Sequence, residues 1–324
     1  MLGKFPSTPY FDSLIDDFGI WQHTDENTIL RGEGYALDDA ARGILLTLAL
    51  NRDEQSESLF SYILKSQYRD GFYGFARQER DFIPMVASDD ATGQVMWAAG
   101  YALSKNFHTD QARELIANTI PYIDRMGNMR GYAYALLGSI YVDKGLASRF
   151  YKKLRMFFES TSDDWPWPET ALTYGNGIAP YAFLRYGLVY HDESAVQLGR
   201  KLLDFIEDKC THNRQRGPIG NEGWLPRDTD QVPTYSQQPI DSAYMVWAWM
   251  VAYQISNKDS DLKLSKAWMQ WFEGDNVANE KMYNPDDMRC FDGIDPGGVH
   301  HNSGAESNIC LLLSKYVIAE KDTV

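Results

Sequence analysis

Two kinds of helical segment alternate along this chain of 324 residues. Apolar residues recur at spacings of three and four, whereas alternating strand-like runs are scarce, so the pattern predicts a mainly helical protein. Twelve segments follow this pattern, with ends placed to within about 2–4 residues. They cover about 7–21, 36–50, 55–68, 89–104, 109–124, 128–142, 147–160, 175–189, 193–209, 239–255, 260–273 and 304–319.

Every second segment is apolar on nearly every face, as in ALLGSIYV and AYMVWAWMVAY. These six segments begin near Ala36, Asp89, Asn128, Gly175, Pro239 and Gly304. Helices that are apolar all round are buried, and their partners, such as DQARELIANTI, carry the charged stripe of surface helices. The alternation predicts an all-α fold, an (α/α)6 toroid or barrel of six helical hairpins with inner and outer rings. We expect residues 1–324 to form it as a single domain.

The connections between the predicted helices differ in length. Links from inner to outer helices are short, whereas those from outer to inner helices are mostly long, and only the link near Met126 is brief. Because alternate helices run antiparallel, we expect the long loops to emerge together at the N-termini of the inner helices. Long loops of this kind are usually functional. They span about 22–35, 69–88, 161–174, 210–238 and 274–303.

Carboxylates gather at or just before the starts of the inner helices. They are Asp38, Asp39, Asp89, Asp90, Glu169, Asp241 and Glu306. Acidic residues at these positions cap helices and complement the helix dipole, which is the simplest explanation for any one of them. Carboxylates that converge on one axis also repel each other, which separates their pKa values and suits general acid–base chemistry. The sequence leaves both explanations open.

Bulk properties exclude several functions. The formal charge of -14 opposes binding to nucleic acid or to anionic lipid surfaces. Three widely spaced cysteines, Cys210, Cys290 and Cys310, form no zinc or disulfide pattern and are interpreted as reduced thiols. No apolar run is long enough to span a membrane, and no signal sequence is evident. We expect a cytoplasmic protein, or a periplasmic one if a signal peptide was removed, of unknown oligomeric state.

The motifs LDDAARG, SDDATGQVMWA, LTYGNGIAPYA, QPIDSAYMV and GAESNICLLL, spread from about Tyr35 to Leu313, resemble the six-hairpin glycosidase superfamily. The similarity extends to bacterial (α/α)6 domains that occur alone or fused to glycosyltransferases. It implies an inverting glycoside hydrolase that cleaves an oligosaccharide or polysaccharide with one carboxylic acid and one carboxylate base. We expect Asp39 or Asp90 to act with Asp241 or Glu306 opposite.

The resemblance also implies that sugar lies across the mouth of the barrel. The expected contacts are the remaining acids Asp38, Asp89 and Glu169, the histidines His300 and His301, and aromatic rings that can face a sugar. These rings belong to Phe72, Tyr73, Trp165, Trp167, Tyr174, Trp224, Tyr235 and Tyr283. We expect neither a bound metal nor a nucleotide cofactor, because no ligand spacing or dinucleotide fingerprint is present.

Two alternatives to hydrolysis remain. N-acylglucosamine 2-epimerases share the barrel and use histidines in the pit, and here His300 and His301 are the two placed for that task. A sugar epimerase or isomerase is therefore one alternative. The other is a non-catalytic carbohydrate-binding domain, in which the acids serve as helix caps and polar contacts.

Overall fold

The computed structural model describes residues 5–68, 73–84, 88–212, 215–229 and 231–324. This part of the chain contains twelve α-helices, and each overlaps one of the twelve predicted segments. They are α1 (Pro9–Leu14), α2 (Leu37–Ala49), α3 (Asp53–Ser66), α4 (Asp89–Ser104), α5 (Thr109–Ile123), α6 (Met129–Ser139), α7 (Lys144–Met156), α8 (Ile178–Tyr190), α9 (Glu193–Lys209), α10 (Pro239–Ser256), α11 (Asp259–Glu273) and α12 (Ala305–Glu320).

The first helix is shorter than the apolar spacing predicts. A helix over 7–21 is expected, but α1 ends at Leu14. Beyond it, Asp16 Oδ1 accepts hydrogen bonds from the backbone N–H groups of Phe18 and Gly19. Aspartate commonly forms turns in this way. The apolar residues Ile15 and Ile20 then pair across the turn.

Burial alternates along the helices as predicted. In α2, α6 and α10 nearly all side chains are buried, whereas α7 and α9 bury only one stripe of apolar residues. The prediction of alternating buried and surface helices is confirmed.

Short antiparallel strands occupy all five long connections. The sequence did not predict them, because pairs of two or three residues are too short to show a period of two. The pairs are β1 (Thr24–Asp25) with β2 (Thr28–Ile29), β3 (Gly74–Ala76) with β4 (Phe82–Pro84), β5 (Ala171–Leu172) with β8 (Leu225–Pro226), β6 (Thr211–His212) with β7 (Gln215–Arg216), β9 (Tyr283–Asn284) with β10 (Arg289–Cys290), and β11 (Gly293–Asp295) with β12 (Gly298–His300).

The chain divides into two compact units, so the expected single domain stays a prediction. The first unit comprises Tyr10–Leu154 together with Val324. In it α2 packs against α3 and α4, and α4 packs against α5 and α6. The second unit comprises Arg155–Thr323 and the segment that ends at Pro9. There α10 packs against α8, α11 and α12, and α8 packs against α9.

Glycine lets α4 and α6 of the first unit approach very closely. A Cβ atom added to Gly100 would lie 2.1 Å from the carbonyl oxygen of Gly138. A Cβ atom added to Gly138 would lie 2.1 Å from the carbonyl oxygen of Met96. Both distances are far below van der Waals contact, so the two helix backbones touch directly at these positions.

The link between α5 and α6 is brief because side chains hold it. Asp89 Oδ2 accepts hydrogen bonds from the backbone N–H groups of Gly127, at 2.8 Å, and Asn128, at 3.2 Å. Asn128 then caps α6, since its Oδ1 accepts from the Gly131 N–H. Asp89 therefore ties the start of α6 to the start of α4. No helix in the described ranges is both long enough and apolar enough to cross a membrane.

Candidate functional site

In the first unit, the acids of the LDDAARG motif form a cluster with Arg42. One guanidinium nitrogen, Arg42 Nη2, lies 2.8 Å from Asp39 Oδ1 and 3.0 Å from Asp38 Oδ2. Asp39 and Arg42 are buried, whereas the Asp38 side chain is 39% exposed. The helix creates this cluster because residues three and four apart share a face. Arg42 was not predicted as a site residue, although its spacing from both acids is evident in the sequence.

The start of α4 carries the second pair of acids. Asp89 is engaged with the α5–α6 link, and its Oδ1 also accepts from the Tyr122 hydroxyl group at 3.4 Å. Asp90 lies beside it in the first turn, partly buried. Gln94, one turn further along, is buried and was not predicted as a site residue. The roles of Asp39 and Asp90 in catalysis, and of Asp38 and Asp89 in substrate binding, stay predictions.

Tyr73 is buried inside the first unit and does not present its ring to solvent. Its hydroxyl group shares a short hydrogen bond with Thr119 Oγ1 and accepts from Gln67 Nε2. Burial raises the pKa of this phenol well above its ordinary value. The bonds join the end of α3 to α5, which is a structural role. Phe72 lies outside the described residues.

In the second unit, Trp165, Trp167 and Glu169 support each other. The Trp165 indole N–H donates to the Glu169 backbone oxygen at 2.8 Å, and the Trp167 N–H donates to Glu169 Oε2 at 3.2 Å. Both indoles are buried, and their rings pack edge-on against Phe205 and Phe158. They line a cavity of about 230 Å³. The predicted contacts of Trp165, Trp167 and Glu169 with a sugar stay predictions.

Three other predicted aromatic residues are exposed. The fraction exposed is 39% for Tyr174, 44% for Trp224 and 41% for Tyr235. Large aromatic side chains are mostly buried in folded proteins, so exposed rings are the informative exceptions. Tyr283, in contrast, is buried, and its hydroxyl group donates to Glu273 at 2.9 Å. Burial and this hydrogen bond raise the pKa of Tyr283 to about 12.

A polar cavity of about 200 Å³ lies at the starts of α10 and α12. The β11–β12 hairpin supplies one side, and the segment before α10 supplies the other. The two are joined by backbone hydrogen bonds between Gln237 and Ile294 and by Ser236 Oγ, which donates to Asp295 Oδ1 at 3.0 Å. The lining residues are Ser236, Gln237, Gln238, Asp292, Gly293, Asp295 and His300.

His300 is the one predicted site residue on this cavity, where its imidazole lies exposed at the end of β12. Asp292 stabilises the start of α12, because its Oδ1 accepts from the Gly304 N–H at 2.7 Å and from Ser307 Oγ at 2.6 Å. His301 is also exposed, and its ring packs edge-on against Phe291. Asp292 and Asp295 were not predicted as site residues.

Asp241 and Glu306 both lie in first turns of inner helices of the second unit. Asp241 is buried in α10, and Glu306 is partly buried in α12. Their predicted catalytic pairing with acids of the first unit stays a prediction.

The cysteines lie where a reactive thiolate is disfavoured. All three cysteines are buried, and burial raises the pKa of the Cys210 and Cys290 thiols well above their ordinary value. A protonated thiol is a poor nucleophile. No group of three or more His, Cys, Asp or Glu side chains among the described residues is arranged to hold a metal ion.

Comparisons with known proteins connect this chain to others through structure. No protein-family model matches the sequence, and no curated protein matches it. A cellobiose 2-epimerase from Bacillus thermoamylovorans matches with a TM-score of 0.70 at 11% identity, over 95% of each chain. A D-mannose isomerase matches with a TM-score of 0.73 at 13% identity, over 97% of this chain and 94% of the other.

A third similar structure is an α-mannanase from Bacteroides thetaiotaomicron, with a TM-score of 0.63 at 12% identity. The match covers 96% of this chain and 92% of the mannanase. The structural similarity establishes the fold, whereas a sequence identity this low leaves the activity open. The chain therefore has the (α/α)6 fold of six helical hairpins, as the alternation of its helices predicts.

Proposed function

We propose that this protein is a carbohydrate-active enzyme that epimerises or isomerises a sugar. The observation that carries the proposal is the cavity in the second unit, where the exposed imidazole of His300 accompanies Asp292, Asp295 and Ser236. Histidine titrates near neutral pH and is the side chain most often used to move protons in catalysis. Carboxylate and hydroxyl groups beside it offer hydrogen bonds to sugar hydroxyl groups.

The proposed chemistry is proton transfer next to a carbonyl group. A base removes the proton from C2 of an open-chain aldose, which leaves an enediolate. Return of a proton to the opposite face of C2 gives the 2-epimer, whereas return to C1 gives the ketose. Both reactions need one group that accepts a proton and then one that donates, which a neutral imidazole and its protonated form can supply.

Structural similarity supports this choice over hydrolysis. The cellobiose 2-epimerase and D-mannose isomerase match with TM-scores of 0.70 and 0.73, above the 0.63 of the α-mannanase.

A glycoside hydrolase is the second candidate. The observation that favours it is the presence of Asp90, Asp241 and Glu306 in the first turns of three inner helices. A hydrolase would need two of these acids to flank a glycosidic bond. A non-catalytic binding domain would need none of them.

Incubation of the protein with D-mannose, D-glucose, D-fructose and cellobiose in D2O tests the proposal. We expect chromatography to detect an epimer or a ketose, and NMR to detect solvent deuterium on C1 or C2 of the sugar. Hydrolysis of a glycosidic bond leaves those carbon–hydrogen bonds intact. Formation of reducing ends from oligosaccharides, without any epimer or ketose, would instead identify a hydrolase.

Substitution of His300 tests its role in the reaction. We expect His300→Asn to lower turnover by about 10²–10⁴-fold, the usual contribution of general acid–base catalysis. His191→Asn is the matched control, because His191 belongs to the same unit but lies at the C-terminal end of α8 and does not line the cavity. Its left-handed backbone conformation is one that asparagine tolerates. Full turnover by a His300→Asn, His301→Asn double variant would exclude both histidines as the base.

A further inference from the structure

Gln94 is a buried glutamine in α4 whose side-chain oxygen has no hydrogen bond. The residue is only 3% exposed, and Oε1 is shielded from solvent without a donor from any described residue. A buried acceptor left unsatisfied costs about 1–3 kcal/mol. Natural proteins retain such groups rarely, and each one calls for an explanation.

In the described part of the chain, the side-chain oxygens of the other buried asparagine and glutamine residues all accept hydrogen bonds. Asn308 donates to the backbone oxygens of Ser303 and Gly304 and accepts from the Cys290 N–H. Asn276 donates to two backbone oxygens and accepts from the Ala278 N–H. Gln237 Oε1 accepts the indole N–H of Trp271 at 2.9 Å. The side-chain oxygens of Gln55, Asn221 and Gln254 also lack a donor, but these residues are partly exposed. Among the buried asparagine and glutamine residues that the structure describes, only Gln94 has an oxygen that accepts no hydrogen bond.

The residues that share a face of α4 with Gln94 indicate a function for its side-chain oxygen. It follows Asp90 by four residues and precedes Trp97 by three, so the three side chains share one face of α4. Asp90 lies in the first turn, at the end of the helix from which the long connections emerge. Gly93 and Gly100 carry the backbone contact with α6, and the Trp97 ring also stacks on Tyr134 of that helix, with ring centroids 6.1 Å apart. The face with Gln94 therefore combines a carboxylate, a carboxamide and an indole.

We propose that Gln94 binds a hydroxyl group of a sugar ligand beside Asp90. A carboxamide presents an acceptor and a donor side by side, which matches two neighbouring hydroxyl groups of a neutral polyol. The ligand supplies the donor that Oε1 lacks, so part of the unfavourable burial is relieved only when the sugar binds. This inference rests on the proposed action on carbohydrate for the class of its ligand.

The test replaces Gln94 by methionine, which has a similar shape and no strong hydrogen-bonding group. Without sugar, we expect Gln94→Met to unfold at the same temperature as the wild type or higher, because no hydrogen bond is lost. With D-mannose and cellobiose as probes in titration calorimetry, we expect a dissociation constant about 10-fold higher, as one or two hydrogen bonds are lost.

Asn276→Leu is the control for removing a carboxamide that is hydrogen-bonded within the protein, and it should lower the unfolding temperature. If Gln94→Met lowers it similarly, Gln94 has a structural role and the inference is wrong. It is also wrong if the variant binds the sugar as tightly as the wild type. If the wild type binds neither probe, the proposed function fails for these sugars and the ligand class assigned to Gln94 fails with it.

Discussion

The glycine contact between α4 and α6 makes a quantitative prediction about stability. Alanine is favoured over glycine by about 0.8–1.0 kcal/mol inside a helix, so Gly100→Ala would ordinarily stabilise the protein. Here the added Cβ would lie 2.1 Å from Gly138 O and 2.7 Å from its carbonyl carbon, whereas ordinary contact begins at 3.4 Å. Both atoms belong to backbone, so no side chain can rotate away. The two helices must separate by more than about 1 Å.

Overpacking of a well-packed interior costs about 1–3 kcal/mol, occasionally more. The cost of overpacking against backbone atoms should lie at the upper end of that range, because the helices lose neighbouring contacts when they move apart. After subtraction of the gain in helix propensity, we expect Gly100→Ala to lower the free energy of unfolding by about 2 kcal/mol. Gly138→Ala should have a similar effect, since its Cβ would meet Met96 O at 2.1 Å.

Urea unfolding followed by circular dichroism measures this difference, with Gly145→Ala as the matched control. Gly145 is exposed in the first turn of α7, where an added Cβ would meet only the Asp143 carboxylate at 3.0 Å. We expect the control to be neutral or to gain up to about 1 kcal/mol. If Gly100→Ala is as stable as the wild type, the inference that the backbones of α4 and α6 are in direct contact is wrong.

Three further changes test other contacts. Asp292→Ala should cost about 1–2 kcal/mol in urea unfolding, because the start of α12 loses the hydrogen bonds from Gly304 and Ser307 to the Asp292 carboxylate. Burial raises the pKa of Glu273, but hydrogen bonds from Lys315 and Tyr283 outweigh it and hold the pKa below the ordinary 4.5. That stabilisation is present above pH 4.5 and is lost as pH falls through the lowered pKa, so wild-type stability should fall more steeply there than that of Glu273→Gln. Arg42→Met should cost about 3–5 kcal/mol in the same unfolding assay, since it removes the guanidinium group that lies 2.8 Å from the buried Asp39 carboxylate.

The helices were predictable because burial imposes a regular spacing of apolar residues. In α10, for example, the predicted 239–255 agrees with Pro239–Ser256 to within one residue. The β11–β12 pair was not predictable, because three residues per strand contain too little alternation to be recognised. The resulting cavity depends on hydrogen bonds between segments distant in sequence, such as that between Ser236 and Asp295.

Individual site residues were harder to predict than the fold. Trp165 and Trp167 lie in a long loop, yet the structure buries both, since Glu169 offers acceptors for their indole N–H groups. Loop position alone does not make an aromatic ring available. Arg42 and Gln94 were missed, although a polar side chain within an otherwise apolar helix is a signal in itself. Only the packed structure shows that Arg42 pairs with Asp38 and Asp39 and that Gln94 Oε1 accepts no hydrogen bond.

Variants of the buried pair Asp39 and Arg42 can distinguish a role in stability from a role in catalysis. Replacement of a buried ion pair by apolar residues of similar volume is often neutral or stabilising, whereas removal of one partner is costly. An Asp39→Leu, Arg42→Met double variant should therefore be more stable than Arg42→Met alone and close to the wild type. Loss of the Arg42 guanidinium group should affect Asp38 little, because the Asp38 side chain is 39% exposed and its charge can be hydrated. If the double variant folds as well as the wild type but no longer converts sugar, the pair is retained for chemistry at the start of α2. If it is as unstable as the single variant, the pair is required by the fold.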